Sequence, residues 1–555
     1  MEKLKPKLFS VMESYNGQQF IKDVTAGIIV AIIALPLSIA LAIASGVSPE
    51  RGLYTAIIAG FLVSFFGGSR VQIGGPTAAF VVIVYGIIQT HGFDGLVIAT
   101  IMAGIILIAM GFLRFGSLIK FIPYTITTGF TGGIAVGIVA GQIKEFLGLD
   151  MGAVPSGFIE KIKIYSESLH TIDLSALLIG AISLGILIFW PKITDKIPGS
   201  LIAIIVSVLL VKSLNLQIDT IGSVYGEISA SLPSFHIPEA DFKTILQLIQ
   251  PAFTIAILAG IESLLSCVVS DGMIGGKHRS NMELIGQGIG NVFSGLFGGI
   301  PATGAIARTA ANVKNGGRTP IAGIIHAITL LLILLVLMPL AALIPLSVLA
   351  AVLMMVAYNM SGWRQFVELL KTSPKSDIIV LVATFLLTVF FDLVIAIEVG
   401  VVLSSFLFMK RMSEVTEVNG WKYVEDLTDE DYINDIENIK YKKVPQNAMV
   451  YEISGPMFFA AAHKFIDITV EGKVKKNVLI IRMRSVPSMD VTALRSIQKI
   501  HKTCKKQGIT LLFAHVQNQP MSVMKKAGFD QLIGLNNFLP HTDDALARAE
   551  QLKCS

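Results

Sequence analysis

Charged side chains are scarce in this chain. Asp, Glu, Lys and Arg make up 15% of its 555 residues, whereas a soluble protein carries about 25%. Hydrophobic residues supply 53% and the mean hydropathy is +0.70. This excludes an ordinary water-soluble protein and implies a membrane protein with a soluble part. Cysteine is nearly absent. Cys267, Cys504 and Cys554 are too few and too scattered for a disulfide framework or a metal cluster, so neither a metal nor a cofactor is expected. No Walker A pattern occurs, which leaves ATP out as a driver. Met1 to Gln18 is polar and has no signal-peptide core, so the amino terminus is expected to stay in the cytosol. The net charge of +5 suits positive connections on one side of a membrane and gives no reason to invoke nucleic acid.

What the chain has in quantity is apolar runs, and a span needs about 20 such residues. Seven runs occupy 24–45, 52–67, 74–89, 94–112, 124–147, 173–190 and 198–211. Seven more, after a polar segment, occupy 244–270, 283–298, 303–313, 319–338, 341–358, 376–391 and 393–409. With the amino terminus inside, the inner connections hold Arg70, Arg114 with Lys120, Lys192 with Lys196, Lys277 with Arg279, Lys314 with Arg318, and Arg364 with Lys371 and Lys375. The outer ones hold few basic residues, apart from Lys161 and Lys163 in a longer loop. That bias agrees with fourteen crossings and both termini in the cytosol. Seven crossings in each half make the second half inverted relative to the first, the inverted-repeat plan of secondary transporters.

The third run of each set is interrupted in the same way. One reads Gly74-Gly75-Pro76-Thr77-Ala78-Ala79-Phe80; the other reads Pro301-Ala302-Thr303-Gly304-Ala305-Ile306-Ala307-Arg308. Each is an extended piece, a Gly/Pro break and a helix too short to cross. A helix that begins inside a membrane aims unsatisfied N–H groups and its positive dipole end at whatever lies ahead, and two of them facing each other form an anion site. Pro76, Thr77, Ala78, Gly304, Ala305 and Ile306 are the expected lining. Thr77 is either a hydroxyl donor to an anion or a plain helix cap. Ser38, after Pro36 in the first run, is a weaker candidate.

Two charges stand where charge is expensive. Glu262 lies inside the eighth run, with Ser266 one turn on and on the same face. It is a candidate for proton coupling, or else an acid that only bonds across helices. Arg308, in the first turns of the second broken helix, has the fork that grips carboxylate or sulfate oxygens. It contacts substrate, pairs with Glu262, or does both in turn. Asp23, Asp271, Asp392 and Glu398 lie near borders and read as caps or interface groups. His326 reads as a hydrogen-bonded core histidine, and Gln287 with Asn291 as glue between helices.

Beyond Lys410-Arg411 the composition changes. Residues 412–444 read as a linker, and 445–555 as a small cytosolic α/β domain. Its expected strands are 448–453, 477–482 and 509–514, and its expected helices 461–470, 491–506, 519–527 and 541–552. The preceding parts are a 1–21 segment and a 22–411 transmembrane part, with repeats at 22–211 and 240–411.

The motifs Ala34-Leu35-Pro36-Leu37-Ser38, Gly74 to Phe80, Ile261-Glu262-Ser263-Leu264-Leu265-Ser266 and Ile306-Ala307-Arg308-Thr309-Ala310-Ala311-Asn312 resemble those of the SulP/SLC26 anion transporter family. The carboxyl-terminal part resembles a STAS domain. The resemblance covers nearly the whole chain, and within the family it is nearest to bacterial members that carry C4-dicarboxylates. It implies a core of spans 1–4 and 8–11 moving against a gate of 5–7 and 12–14, elevator-like, in a homodimer. Sodium–bicarbonate members use an aspartate and a threonine where this chain has Glu262 and Ser266, and a third sodium position falls on Ile306. Proton coupling is therefore expected instead. Leu37 and Leu41 stand where eukaryotic members often carry a glutamine and an aromatic. In the STAS part Asp490 is followed by Val491, not by the serine that bacterial regulatory relatives phosphorylate. The expected function is secondary active, proton-coupled uptake of sulfate or a C4-dicarboxylate such as succinate or fumarate, across the bacterial inner membrane. Bicarbonate symport, anion exchange and a channel are the alternatives.

Overall fold

The computed structural model describes residues 4–117, 123–152, 154–155, 157–194, 198–226, 230–239, 241–391, 393–415, 417–421, 442–458 and 476–552. Lys120, Lys196, Asp392, Cys554, most of the expected linker and the helix expected at 461–470 lie outside them. The chain divides into two compact units, Met1–Val402 and Leu403–Ser555.

The first unit is helical. In chain order its helices are α1 Lys7–Val11, α2 Gly17–Ala44, α3 Pro49–Phe66, α4 Val81–Phe112, α5 Tyr124–Leu147, α6 Phe158–Ser168, α7 Leu174–Ile193, α8 Gly199–Ser213, α9 Ile221–Tyr225, α10 Phe242–Ile274, α11 Ser280–Leu296, α12 Ile306–Lys314, α13 Pro320–Ala341, α14 Leu346–Ser361, α15 Trp363–Thr372 and α16 Lys375–Phe390. Then α17, Leu393–Val415, runs across the division between the units. A helix occupies every one of the fourteen apolar segments. Seven helices among the described residues are long and apolar enough, by length and composition, to cross a membrane. The third and fourth segments form one continuous α4 apart from Gly92, whose φ of 66° and ψ of −168° break it. Helices α6 and α15 lie where connections were expected. Ile159, Ile162 and Tyr165 recur at helical spacing in α6, but the segment is too short and charged to register as a span.

Starts are set by local chemistry. Asn16 accepts from the Gln19 N–H at the head of α2, and α3 and α13 each begin on a proline, which needs no N–H partner there. Two packed groups result. Helix α2 lies on α3 and α13, α3 on α11 and α13, α4 on α10 and α11, and α12 on α10 and α2. Separately, α5 packs against α14 and α16, and α7 against α8 and α14. The first group gathers the expected core spans 1–4 and 8–11; the second gathers gate spans 5–7, 12 and 13. Helices this apolar gain little from hiding side chains from lipid, so close backbone approach must hold them. Gly104 of α4 and Gly288 of α11 show it. A Cβ on Gly104 would stand 2.6 Å from the Gly288 carbonyl oxygen, and one on Gly288 2.5 Å from that of Gly104.

The amino-terminal segment is strapped to both halves of the helical unit. The Lys7 N–H donates to Gly67 O at 2.9 Å and its ammonium to Lys277 O at 3.0 Å. Arg279 donates to Lys5 O at 2.7 Å and to Ser10 Oγ at 3.0 Å. Asp23 is fully buried and more than a border cap. It accepts from Tyr15 OH, Gln19 Nε2, Arg318 N and Thr319 Oγ1 at 3.1, 2.9, 2.9 and 2.6 Å.

Strands β1 Gly74–Gly75 and β2 Thr303–Gly304 belong to the first unit, and the second unit carries a five-stranded sheet ordered β3–β4–β5–β6–β7. Strands β4 Ala448–Ser454, β5 Val478–Ser485, β6 Thr510–Ala514 and β7 Phe538–Leu539 run parallel, with β3 Glu417–Trp421 antiparallel at the edge. Leu479, Ile481, Leu511 and Phe513 meet Ile497 and Phe529 on one face. Val450, Ile480 and Leu512 meet Ala545 and Ala549 on the other, the two-sided cover of a mostly parallel sheet. Asp490 caps Val491–Lys506 by accepting from the Ala493 N–H at 2.8 Å.

Gly288→Val forces the α4–α11 crossing apart, at a cost of about 1–3 kcal/mol for overpacking. The apparent unfolding temperature of the purified protein in detergent is expected to fall. Gly272→Ala, whose Cβ would meet nothing within 4 Å, does not lower it.

Candidate functional site

The two breaks meet. Strand β1, Gly74–Gly75, pairs antiparallel with β2, Thr303–Gly304, in the register Gly74↔Gly304 and Gly75↔Thr303. The Ala305 N–H extends the ladder to Ile73 O at 2.9 Å. Backbone inside a membrane is tolerated out of helix only where protein satisfies it, and this ladder does so for both breaks. A 3-10 turn, Ala78–Phe80, leads into α4, and α12 starts at Ile306. Neither start is capped by its own side chain, Thr77 or Ala305. The helix starts lie at opposite ends of one short antiparallel ladder, so their amino ends face each other across it.

Three side chains make the site polar. Thr77 Oγ1 donates to Glu262 Oε2 of α10 at 2.8 Å; its hydroxyl crosses to another helix instead of capping its own. Arg308 of α12 is 2% exposed. One terminal nitrogen donates to the Pro76 carbonyl, while Nε and the other terminal nitrogen have no partner. Arg308 and Glu262 form no ion pair, so the direct exchange between them expected from sequence is not the arrangement found. Gly75 makes room for the guanidinium, since a Cβ there would stand 2.5 Å from Arg308 Nη1. Gly304 likewise accommodates Gln72, whose Nε2 would lie 1.8 Å from an added Cβ.

The other predicted residues divide. Ala78 and Ala305 are buried at the two starts, while Ile306 is 38% exposed and Phe80, past the first break, 1%. Ser266 Oγ donates to Thr309 Oγ1 at 3.3 Å, and Thr309 Oγ1 accepts from the Ile73 N–H at 3.1 Å; Ser266 thus props the ladder instead of touching Glu262. Ser38 is fully buried with its hydroxyl unpartnered and has no hydrogen bond to the site. His326 is a correction. It is fully buried, yet neither ring nitrogen has a partner. Its Nδ1 lies 3.7 Å from where a Cβ on Gly60 would sit, the same point that is 3.1 Å from Gly74 O, so the ring packs beside the ladder in space that the absent side chain of Gly60 leaves.

Sequence reasoning missed Glu283. This fully buried carboxylate accepts from the Gly68 and Ser69 N–H groups at 2.8 and 3.0 Å. It also accepts from Gln72 Nε2 at 3.2 Å and Gln287 Nε2 at 2.8 Å. Four donors and no cation hold it, an acceptor-only role suited to the carboxylate. In sequence it reads as an ordinary acidic residue in a helix's first turn. Asn291 does the same for the second break, accepting from Ala302 N and donating to Ala302 O, each at 2.8 Å. Asn312 donates to Val71 O at 2.8 Å.

Helices broken within the membrane in both halves of a chain, with amino ends turned toward one another, are how secondary transporters build a substrate site, and this fold is of that class. The family model described as "Sulfate permease family" matches residues 20–384, and that of the STAS domain residues 439–545. A putative sulfate transporter, YvdB of Bacillus subtilis, is 41% identical over 534 residues, 96% of this chain and 98% of its own length. The bicarbonate transporter BicA of Picosynechococcus is 32% identical over 488 residues, 86% and 85% of the two chains. The solved structure of SLC26A9 has a TM-score of 0.87 at 20% identity, over 98% of this chain and 92% of its own. The transmembrane domain of a cyanobacterial BicA has 0.62 at 31%, over 70% and 98%. The chain belongs to the sulfate permease (SulP/SLC26) family: it is a multi-pass membrane anion transporter with a STAS domain, not an enzyme.

Glu283→Ala removes the acceptor for four donors. A loss of about 3 kcal/mol or more follows from buried donors left unpaired, read as a drop in unfolding temperature. Glu283→Gln, which brings two donors of its own, is expected to recover only part.

Proposed function

We propose that the chain carries a divalent anion, sulfate or a C4-dicarboxylate such as succinate or fumarate, together with protons. One observation carries the reading: Arg308 is buried between two facing helix starts with two guanidinium nitrogens unpartnered. An unsatisfied buried fork of this kind is matched by an oxyanion, and uncapped N–H groups add to the same field. Pro76, Thr77, Ala78, Gly304, Ala305 and Ile306 line the anion's place, and Ser38 is the weaker candidate.

Glu262 couples the proton. While it is ionised, its charge opposes an anion nearby and holds the Thr77 hydroxyl. A proton on Glu262 removes that charge and frees Thr77 to donate to the anion, so anion and proton bind together. Ser266, through Thr309, keeps the ladder in register behind them. Alternation between a state open on one side of the ladder and a state open on the other moves the load. The bias of Lys and Arg supports both termini in the cytosol, at the inner membrane. On family resemblance the unit is a homodimer.

Bicarbonate is the second reading, favoured by the likeness to BicA. Against sodium as its companion stand the apolar side chain of Ile306 and the engagement of Ser266 with Thr309.

Purified protein in liposomes, given radiolabelled sulfate, succinate and bicarbonate at two external pH values with and without sodium, tests the reading. Uptake of sulfate or succinate is expected to rise when the outside is acidic. Glu262→Gln abolishes that rise, and Arg308→Ala cuts uptake at low substrate by about tenfold or more, the loss of a charge-assisted bidentate contact. Wild-type uptake by Arg308→Ala, or uptake that follows sodium and ignores pH, overturns it.

A further inference from the structure

A cavity of about 650 Å3 lies between the two helix groups, walled by the end of α2, the first half of α4, α5, α6 and the start of α10. Thr77, Glu262 and Arg308 do not line it. It runs along the first broken helix from Val81, one turn past Thr77, to His91, and its polar wall includes Gln89, Gln142, Gln250, Lys144, Glu145 and Lys161.

Lys161 is the unexplained group. Helix α6 is pinned to its neighbours by Tyr165 OH, which donates to Ala140 O of α5 at 2.8 Å, and by Phe158, set edge-on to Phe390 of α16 with centroids 5.6 Å apart. That docking turns Lys161 inward, where it is 8% exposed. Among the described residues nothing forms a hydrogen bond or ion pair with its ammonium. Burial draws its pKa below the ordinary lysine value, with no counter-charge opposing the shift. Lys144 is partly engaged, donating to Gly152 O at 3.3 Å, and Glu145 is the carboxylate on the wall. Two ammonium groups against one carboxylate leave the cavity positive. The ammonium opens onto the cavity with no acceptor from the chain, and the Gln89, Gln142, Gln247 and Gln250 amides on the same wall can donate beside it to an oxyanion.

We infer that this cavity is a second anion-binding site, in which Lys161 holds a small oxyanion (a carboxylate, bicarbonate or sulfate) apart from the one at Arg308. Because core and gate helices both wall it, an anion there waits beside the first broken helix before or after occupying the ladder. Its place on a transport path rests on the reading above; its affinity for anions does not.

Charge-selective thiol labelling tests it without transport. Gly141 lines the cavity, and a Cβ there meets nothing within 4 Å. Gly141→Cys is introduced into the full chain with Cys267, Cys504 and Cys554 changed to Ala. An anionic and a cationic methanethiosulfonate of similar size are compared, each rate divided by that with a free thiol. The anionic reagent is expected to be favoured by about tenfold, the scale of electrostatic focusing in a charged cleft. Lys161→Gln removes most of that preference, Lys161→Arg keeps it, and Glu145→Gln, which preserves Lys161, raises it. Sulfate, bicarbonate or succinate slows the anionic reagent in the parent but not in Lys161→Gln. Arg308→Ala changes neither the preference nor the protection, so wild-type transport by Arg308→Ala with labelling intact refutes the transport reading alone. Equal preference in the parent and Lys161→Gln overturns the second site. So does failure of all three anions to protect, or no rise with Glu145→Gln.

Discussion

Two residue pairs of backbone, Gly74–Gly75 against Thr303–Gly304, bear the constraint on which the molecule depends. A membrane interior offers no water to an interrupted helix, and a helix broken alone would strand its N–H and C=O groups. Breaking one helix in each half and laying the breaks side by side lets each satisfy the other. The same ladder fixes where the two helix starts point, so chain economy and site polarity have one cause. It also explains why glycine stands at these positions: Arg308 and Gln72 occupy the space a side chain would need.

Around the ladder the polar residues divide by whether their bonds are complete. Glu283, Asn291, Thr309 and Asp23 are engaged on several sides and hold loops in place. Arg308 and Lys161 are buried cations with donor capacity left over, and Glu262 takes a single hydroxyl donor. Groups with completed bonds are architecture; the two cations with donors to spare are where an anion from outside the chain fits.

Much of this was legible in the sequence because membranes enforce simple rules. A Gly/Pro interruption inside an apolar run has few meanings, and Glu262 and Arg308 stood out as charge in apolar surroundings. Three of the five strands of the carboxyl-terminal unit, β4, β5 and β6, and its helices among the described residues at 491–506, 518–526 and 542–551 followed from alternating apolar runs. What stayed hidden was pairing. Nothing in spacing says that Thr77 reaches Glu262, that Ser266 turns to Thr309, or that Glu283 closes on backbone 215 and 214 residues away. His326 misled because burial alone does not deliver a hydrogen-bond partner. Helices α6 and α15 were hidden by length and charge, β7 by brevity, and β3 by lying inside the expected linker.

The amino-terminal strap has a mechanical meaning. Lys7 grips the turn after α3, while Lys277 and Arg279, between α10 and α11, grip back. These two turns precede the first break and follow the helix that carries Glu262, and they belong to opposite halves of the inverted pair. A tug on residues 5–10 therefore reaches both repeats at once, like a drawstring, and anything that docks on this short tail has a handle on both together.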